Sequence, residues 1–131
     1  MDKIKQNRAF IVRYFNAISG VKKTKELCEK FMIDPKLIDH ILFFDGAFPG
    51  YELFIEEMIA EEKKVLVRGR AKGVHEAEFN GIPPTYKEMD LPFVIRYTIE
   101  DGKIVDHWLM ADQVILMKQL GISDSKEIQP T

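Results

Sequence analysis

Cysteine is almost missing from this chain of 131 residues: Cys28 stands alone, which rules out an internal disulfide and a cysteine-built metal site. Charge of one sign is missing too. Nineteen lysines and arginines against 21 aspartates and glutamates leave a formal net charge of −2, so no electropositive field exists to recruit nucleic acid. The basic run Lys63, Lys64, Arg68, Arg70 and Lys72 alternates with apolar residues, as a solvated strand face does, and Glu61 and Glu62 abut it. No apolar run could span a bilayer, and Met1-Asp2-Lys3-Ile4-Lys5-Gln6 has no secretory core; a cytoplasmic protein with no membrane partner is expected. Glycine-rich phosphate loops, nucleophile elbows and Cys–His pairs are absent. The three histidines, at 40, 75 and 107, lie 35 and 32 positions apart, without short metal-ligand spacing. No metal and no organic cofactor is expected.

What is present is the balance of an ordinary globule, 46% hydrophobic and 31% charged, of a size for one domain over 1–131 with a polar tail at about 122–131. The first half is helical in grammar. Ile4, Ile11, Tyr14, Phe15 and Ile18 recur at helical spacing up to Gly20, and Thr24 opens a short segment presenting Leu27, Cys28 and Phe31. Asp34-Pro35 pairs a capping acid with proline at the first helical position, and Phe48-Pro49-Gly50 ends the helix that follows. From Tyr51 the period becomes two. Val65, Val67, Gly69, Ala71 and Gly73 form one inward set, and Leu91, Phe93, Ile95, Tyr97 and Ile99 another. Asp101-Gly102 signals a hairpin into Ile104–Ala111, a strand apolar on both parities. Helices on one side and a second subunit on the other would cover it, so a homodimer through the sheet face is expected. Helices first and an antiparallel sheet afterwards is the α+β arrangement, with a pocket where a curved sheet meets the helices.

Chemistry concentrates at the end of the last strand. On strand parity Asp112 shares a face with Trp108 and Met110. If that face lines the pocket, burial raises the proton affinity of Asp112 toward what an acid/base catalyst needs. Equally, an aspartate before Val114, Leu116 and Met117 is where a helix cap belongs. His75 continues the inward set of its strand and could bond a substrate carbonyl or be satisfied by backbone. His40, on the apolar stripe between Leu37 and Phe44, needs an internal partner or a place in the cavity. His107, of opposite parity to Trp108, is expected on the helix-free side as an oligomer contact.

Two stretches carry a resemblance. Trp108, Asp112, Leu116, Gln119, Leu120 and Gly121 follow a tryptophan, aspartate, leucine, Gln-Leu-Gly spacing, and Gly73, His75, Glu78, Phe79, Gly81, Ile82, Pro83, Pro84 and Thr85 form a second motif. Both resemble the SnoaL-like polyketide cyclase family of the nuclear transport factor 2-like superfamily. The resemblance implies a cone-shaped, cystatin-like fold, with N-terminal helices packed on a curved, mainly antiparallel sheet. In characterised cyclases of that family an aspartate is the general acid/base of an intramolecular aldol closure, without metal or cofactor. Motif position puts that role on Asp112, with His75 as its catalytic assistant. The expected substrate wall is His40, Phe44, Phe79, Tyr86, Trp108 and Met110. Ala77 and Tyr86 stand where relatives usually have glycine, and Tyr86 is expected to narrow the mouth.

Three functions follow. The first is a cofactor-free acid/base enzyme for a small hydrophobic carbonyl compound, of polyketide-cyclase or steroid-isomerase type; it gains if Asp112 and His75 both face a roomy cavity. The second is a binding protein for a hydrophobic metabolite, favoured if Asp112 turns to the helix backbone. The third is a dimeric scaffold, favoured if Tyr86 or Phe79 fills the pocket.

Overall fold

Asp2 opens the first helix by accepting the Ile4 N–H at 3.0 Å. In the computed structural model, which describes residues 2–122, this helix (α1) spans Lys3–Ile18 and buries Ile11, Tyr14, Phe15 and Ile18. A five-residue helix (α2, Lys25–Glu29) is capped by Thr24 and buries Cys28. Asp34 caps the third helix (α3, Pro35–Ala47), its Oδ1 accepting from the Lys36 and Leu37 N–H groups at 3.1 and 3.2 Å. The Asp34-Pro35 start and the Phe48-Pro49-Gly50 stop are where the sequence put them. The polar tail expected at about 122–131 lies, beyond Ile122, outside the described residues.

Four antiparallel strands follow as a meander: β1 (Glu52–Glu61), β2 (Lys64–Val74), β3 (Glu88–Glu100) and β4 (Lys103–Ala111). Period two holds through β2 and β3, where Val65, Val67, Ala71, Leu91, Phe93, Ile95, Tyr97 and Ile99 are buried under α1 and α3. Asp101 and Gly102, both at positive φ, make the two-residue turn between Glu100 and Lys103. Gly69 faces a bulge at Glu56 of β1, and a Cβ there would stand 2.3 Å from the Phe54 carbonyl oxygen.

A second bulge corrects the sequence-derived parity of β4. Thr98 pairs with Asp106 but Ile99 pairs with Ile104, so Val105 is the extra residue. Ile104 is fully buried, yet past the bulge the phase inverts. Trp108 and Met110 point away from the helices, 47% and 60% exposed, and His107, Leu109 and Ala111 take the inner face. The expectation that Trp108 and Met110 line the pocket, and that His107 faces the helix-free side, is therefore reversed.

The last helix (α4, Gln113–Gln119) packs on β3. Its signature residues have structural work: Leu116 and Leu120 are buried, and the Gln119 amide brackets the Asp90 backbone, accepting from N–H at 2.8 Å and donating to C=O at 2.9 Å. Gly121, at φ +83°, ends the helix.

Candidate functional site

Between α1, α3 and the inner face of the sheet lies a cavity of ≈ 180 Å³. Its wall is apolar through Phe15, Leu37, Ile41, Leu91 and Ile95, the same periodic residues that make the core. Its polar contributions are few: His40, Gln113 and the tyrosines Tyr14, Tyr51 and Tyr97.

His40 and Phe44, one helical turn apart on α3, both reach the cavity. Their rings stack with centroids 5.9 Å apart. His40 stands at the solvent-facing end of this stripe. The apolar wall, and secondarily the neighbouring His107, lower its pKa from the ordinary histidine value, which favours a neutral imidazole with a lone pair to offer. His107 is itself held by Asp34, whose Oδ2 lies 2.6 Å from Nδ1. An ionised carboxylate only accepts, so the proton of a neutral His107 sits on Nδ1 and its Nε2 is the acceptor. Asp34 is buried and serves both sides at once, capping α3 with one oxygen and tying it to β4 with the other.

The other expected site residues are placed elsewhere. His75 is fully buried but is not part of the cavity wall. Its Nδ1 accepts the Thr85 N–H at 3.1 Å and lies 3.0 Å from the Thr85 hydroxyl, while its ring stacks on Phe48 at 5.3 Å. The proton therefore sits on Nε2, which is sealed from solvent and has no partner among the described residues. Phe79 is buried behind the wall, packed on Phe43, Phe44 and Phe48. Tyr86, at φ +58°, turns outward and is 68% exposed, so it neither narrows nor fills the cavity.

Asp112 is exposed and caps α4, its Oδ1 accepting the Ile115 N–H at 3.0 Å. It stands between Ala111 and Gln113, which do line the cavity, and so sits at the rim rather than within. Asp112 and His75 are thus not brought together. Sequence reasoning missed Asp34–His107 and the three tyrosines. The first pair is 73 residues apart and has no local signal. Tyr14 and Tyr97 did carry one, since both fall on apolar stripes where phenylalanine would pack as well. Among the described residues no three His, Cys, Asp or Glu side chains are grouped to hold a metal ion. No helix there is long and apolar enough to cross a membrane.

Comparison with known proteins gives a consistent family. Residues 38–120 match the family model described as SnoaL-like polyketide cyclase. A protein from Jannaschia sp. CCS1, provisionally named a SnoaL-like polyketide cyclase, is similar in structure with a TM-score of 0.80 at 20% identity, covering 95% of this chain and 97% of that one. AclR from Streptomyces galilaeus, provisionally named a hydroxylase, gives 0.78 at 22% identity, over 90% of this chain and 82% of its own. Wild-type IdmH from Streptomyces antibioticus, provisionally named a polyketide cyclase, gives 0.74 at 21% identity, over 88% and 99%. At these identities the likeness speaks for the fold alone. A comparison with curated proteins finds no match.

Proposed function

The chain belongs to the SnoaL-like polyketide cyclase family, and on that footing we propose that it binds a small hydrophobic carbonyl compound in the cone cavity and moves a proton on the carbon beside the carbonyl. The observation that carries this reading is an aromatic-walled cavity of ≈ 180 Å³ with a single imidazole, His40, in its lining. Desolvation against the apolar wall lowers its pKa and so favours the neutral imidazole, the state in which it can take a proton from carbon. Asp112, the family aspartate by motif position, is the second candidate base. Only one of its oxygens is used by the cap, and from the rim it would serve a ligand that protrudes between Ala111 and Gln113. His75 holds the end of β2 to Thr85 and acts on the site only through that loop. A second copy of the chain is proposed on the outer sheet face, where Phe54, Ile59, Trp108 and Met110 are exposed.

A second reading, a non-catalytic carrier of the same kind of molecule, is favoured by the commitment of the Asp112 Oδ1 to the helix backbone. The two separate in one experiment. The bicyclic ketone 1-tetralone is titrated into the protein, and exchange of its C2 hydrogens for deuterium is followed by NMR. The enzyme reading expects binding and accelerated exchange; Ala71→Phe, which fills the cavity, abolishes both. Of His40→Gln and Asp112→Asn, the variant lacking the base keeps binding and loses roughly 10²–10⁴-fold in exchange. Binding without exchange leaves the carrier, and no binding by the wild type removes both.

A further inference from the structure

Three tyrosines line a cavity that phenylalanine could have lined equally well. Tyr14 from α1, Tyr97 from β3 and Tyr51 from the segment before β1 all contribute to the wall, beside Phe15, Phe44 and Phe93. Each of the three is at least 95% buried, and the rings of Tyr14 and Tyr97 meet edge to face with centroids 5.8 Å apart. A buried phenol needs an acceptor. Among the described residues the one side-chain nitrogen or oxygen that is both sealed from solvent and unpartnered is His75 Nε2. The Tyr14 and Tyr97 hydroxyls lie close enough to interact with each other, Tyr14 as donor, which leaves the Tyr97 O–H and that of Tyr51 to find an acceptor in a wall that all three residues line.

We infer that the hydroxyls of Tyr14, Tyr51 and Tyr97 are a recognition site for an oxygen acceptor on the ligand. The ligand class is an oxygenated ring compound bearing a carbonyl, enolate or phenolate oxygen inside the cavity, in preference to a hydrocarbon or an amine. This rests on the reading of the cavity as a ligand site and adds which groups read the ligand.

The electrostatics run the same way. Desolvation by burial pushes all three pKa values up, reinforced by the neighbouring phenols at Tyr14, by Asp45 at Tyr51 and by Tyr51 at Tyr97, so all three stay protonated donors across the physiological range. Phenols closely placed in a dry wall favour negative or partially negative oxygen between them. Behind Tyr51 the Lys23 ammonium lies 4.0 Å from the ring centroid, with Asp45 3.6 Å beyond as its counter-ion. Lys23 spends its donors on the Val21 and Tyr51 carbonyls at 2.9 and 2.6 Å, and so braces Tyr51 rather than competing for the ligand. An ammonium ligand would find no carboxylate in the wall to balance its charge. A pure hydrocarbon would leave the Tyr51 hydroxyl and the free O–H of the Tyr14–Tyr97 pair unsatisfied.

The test compares 1-tetralone with tetralin, the same bicycle without the carbonyl, on the wild type and on Tyr14→Phe, Tyr51→Phe and Tyr97→Phe. The wild type should prefer the ketone at least tenfold. A variant that removes a contacting donor should lose roughly three- to tenfold for the ketone while holding tetralin as well or better, the worth of one net hydrogen bond. The infrared carbonyl stretch of bound 1-tetralone should lie below its value in hexane and move back toward it in that variant. Equal affinity for ketone and hydrocarbon in the wild type, or an unchanged affinity ratio and stretch in all three variants, overturns the inference while leaving the cavity a ligand site. If neither compound binds the wild type, the cavity reading itself fails and takes this one with it.

Discussion

The two faces of the sheet use polar groups in opposite ways. On the outer face charges are many and answered locally. Arg68 reaches Glu56 and Glu57 at 2.8 and 3.1 Å, Arg70 reaches Asp90 at 2.8 Å, and Arg96 reaches Asp106 at 3.0 Å. The cavity wall between the inner face and the helices uses few polar groups, and the shifts among them favour the neutral form: the phenols protonated, His40 deprotonated. Arg68 and Arg70 of the basic run read in the sequence are thereby spent on cross-strand pairs. The inner groups, which make almost no electrostatic impression in a charge count, are the ones placed to meet a ligand. A chemical site in this fold is found by asking which side chains have been deprived of water, not which carry the most charge.

The comparison breaks most visibly if an outer residue behaves like an inner one. Phe48, fully buried and stacked on Phe44 at 4.8 Å, should lose about 3–5 kcal/mol of stability on Phe48→Ala, measured by urea unfolding. Trp108→Ala on the outer face should change monomer stability by about 0.5 kcal/mol or less. A cost for Trp108 near that for Phe48 would mean that the outer face is covered by another molecule.

The proposed second copy is the natural cover, and it has its own readout. Sedimentation at micromolar concentration should give about twice the chain mass for the wild type. The doubly substituted Trp108→Lys, Met110→Lys chain should sediment at the single mass with its helices intact. A wild type that runs as a monomer would leave Trp108 and Met110 as plain exposed residues.

Asp112 sits where the two faces meet, and two substitutions sharpen its role. Asp112→Ala removes the acceptor of the Ile115 N–H and should cost about 1 kcal/mol. Asp112→Asn keeps a capping oxygen and should cost only a few tenths. An asparagine variant that unfolds as readily as the alanine one would show that the charge, not the cap geometry, holds α4.

The smallest effect is that of His40 on pH dependence. Its folded-state pKa lies below the ordinary 6.5, so the unfolded chain binds the proton more readily. Its stabilising contribution is complete above about 6.5 and is lost as the pH falls through the folded value. An NMR titration of the imidazole should have its midpoint below that of a free histidine, and His40→Phe should flatten the fall in thermal midpoint over the same window. A midpoint at or above 6.5 would place His40 in water rather than against the apolar wall.

Much of this protein follows from local chemistry. The Asp34-Pro35 start of α3, the Asp101-Gly102 turn and the alternating strands β2 and β3 each depend on groups within a few residues of one another, and all appear where the pattern put them. The closing signature was legible as a helix with buried Leu116 and Leu120 and a terminal glycine. Of the site, the sequence singled out His40 and Phe44, because helical spacing alone puts them on the face that meets the sheet.

The rest depended on contacts between distant segments. A single extra residue, Val105, reverses the phase of β4, and nothing in the residue itself marks it as a bulge. That reversal put Trp108 and Met110 outside, brought His107 within 2.6 Å of Asp34, and left Asp112 at the rim. His75 was legible as inward-facing, but only the packing of Phe48 against it and the return of Thr85 decided that inward meant core and not cavity. Tyr14, Tyr51 and Tyr97 are far apart in the chain, and they share one wall only because α1 lies across the sheet. Sequence by itself determined which residues leave water, since period and apolarity are local. Tertiary structure decided which of those residues face one another and which face empty space, since that depends on strand register and on how the helices cross.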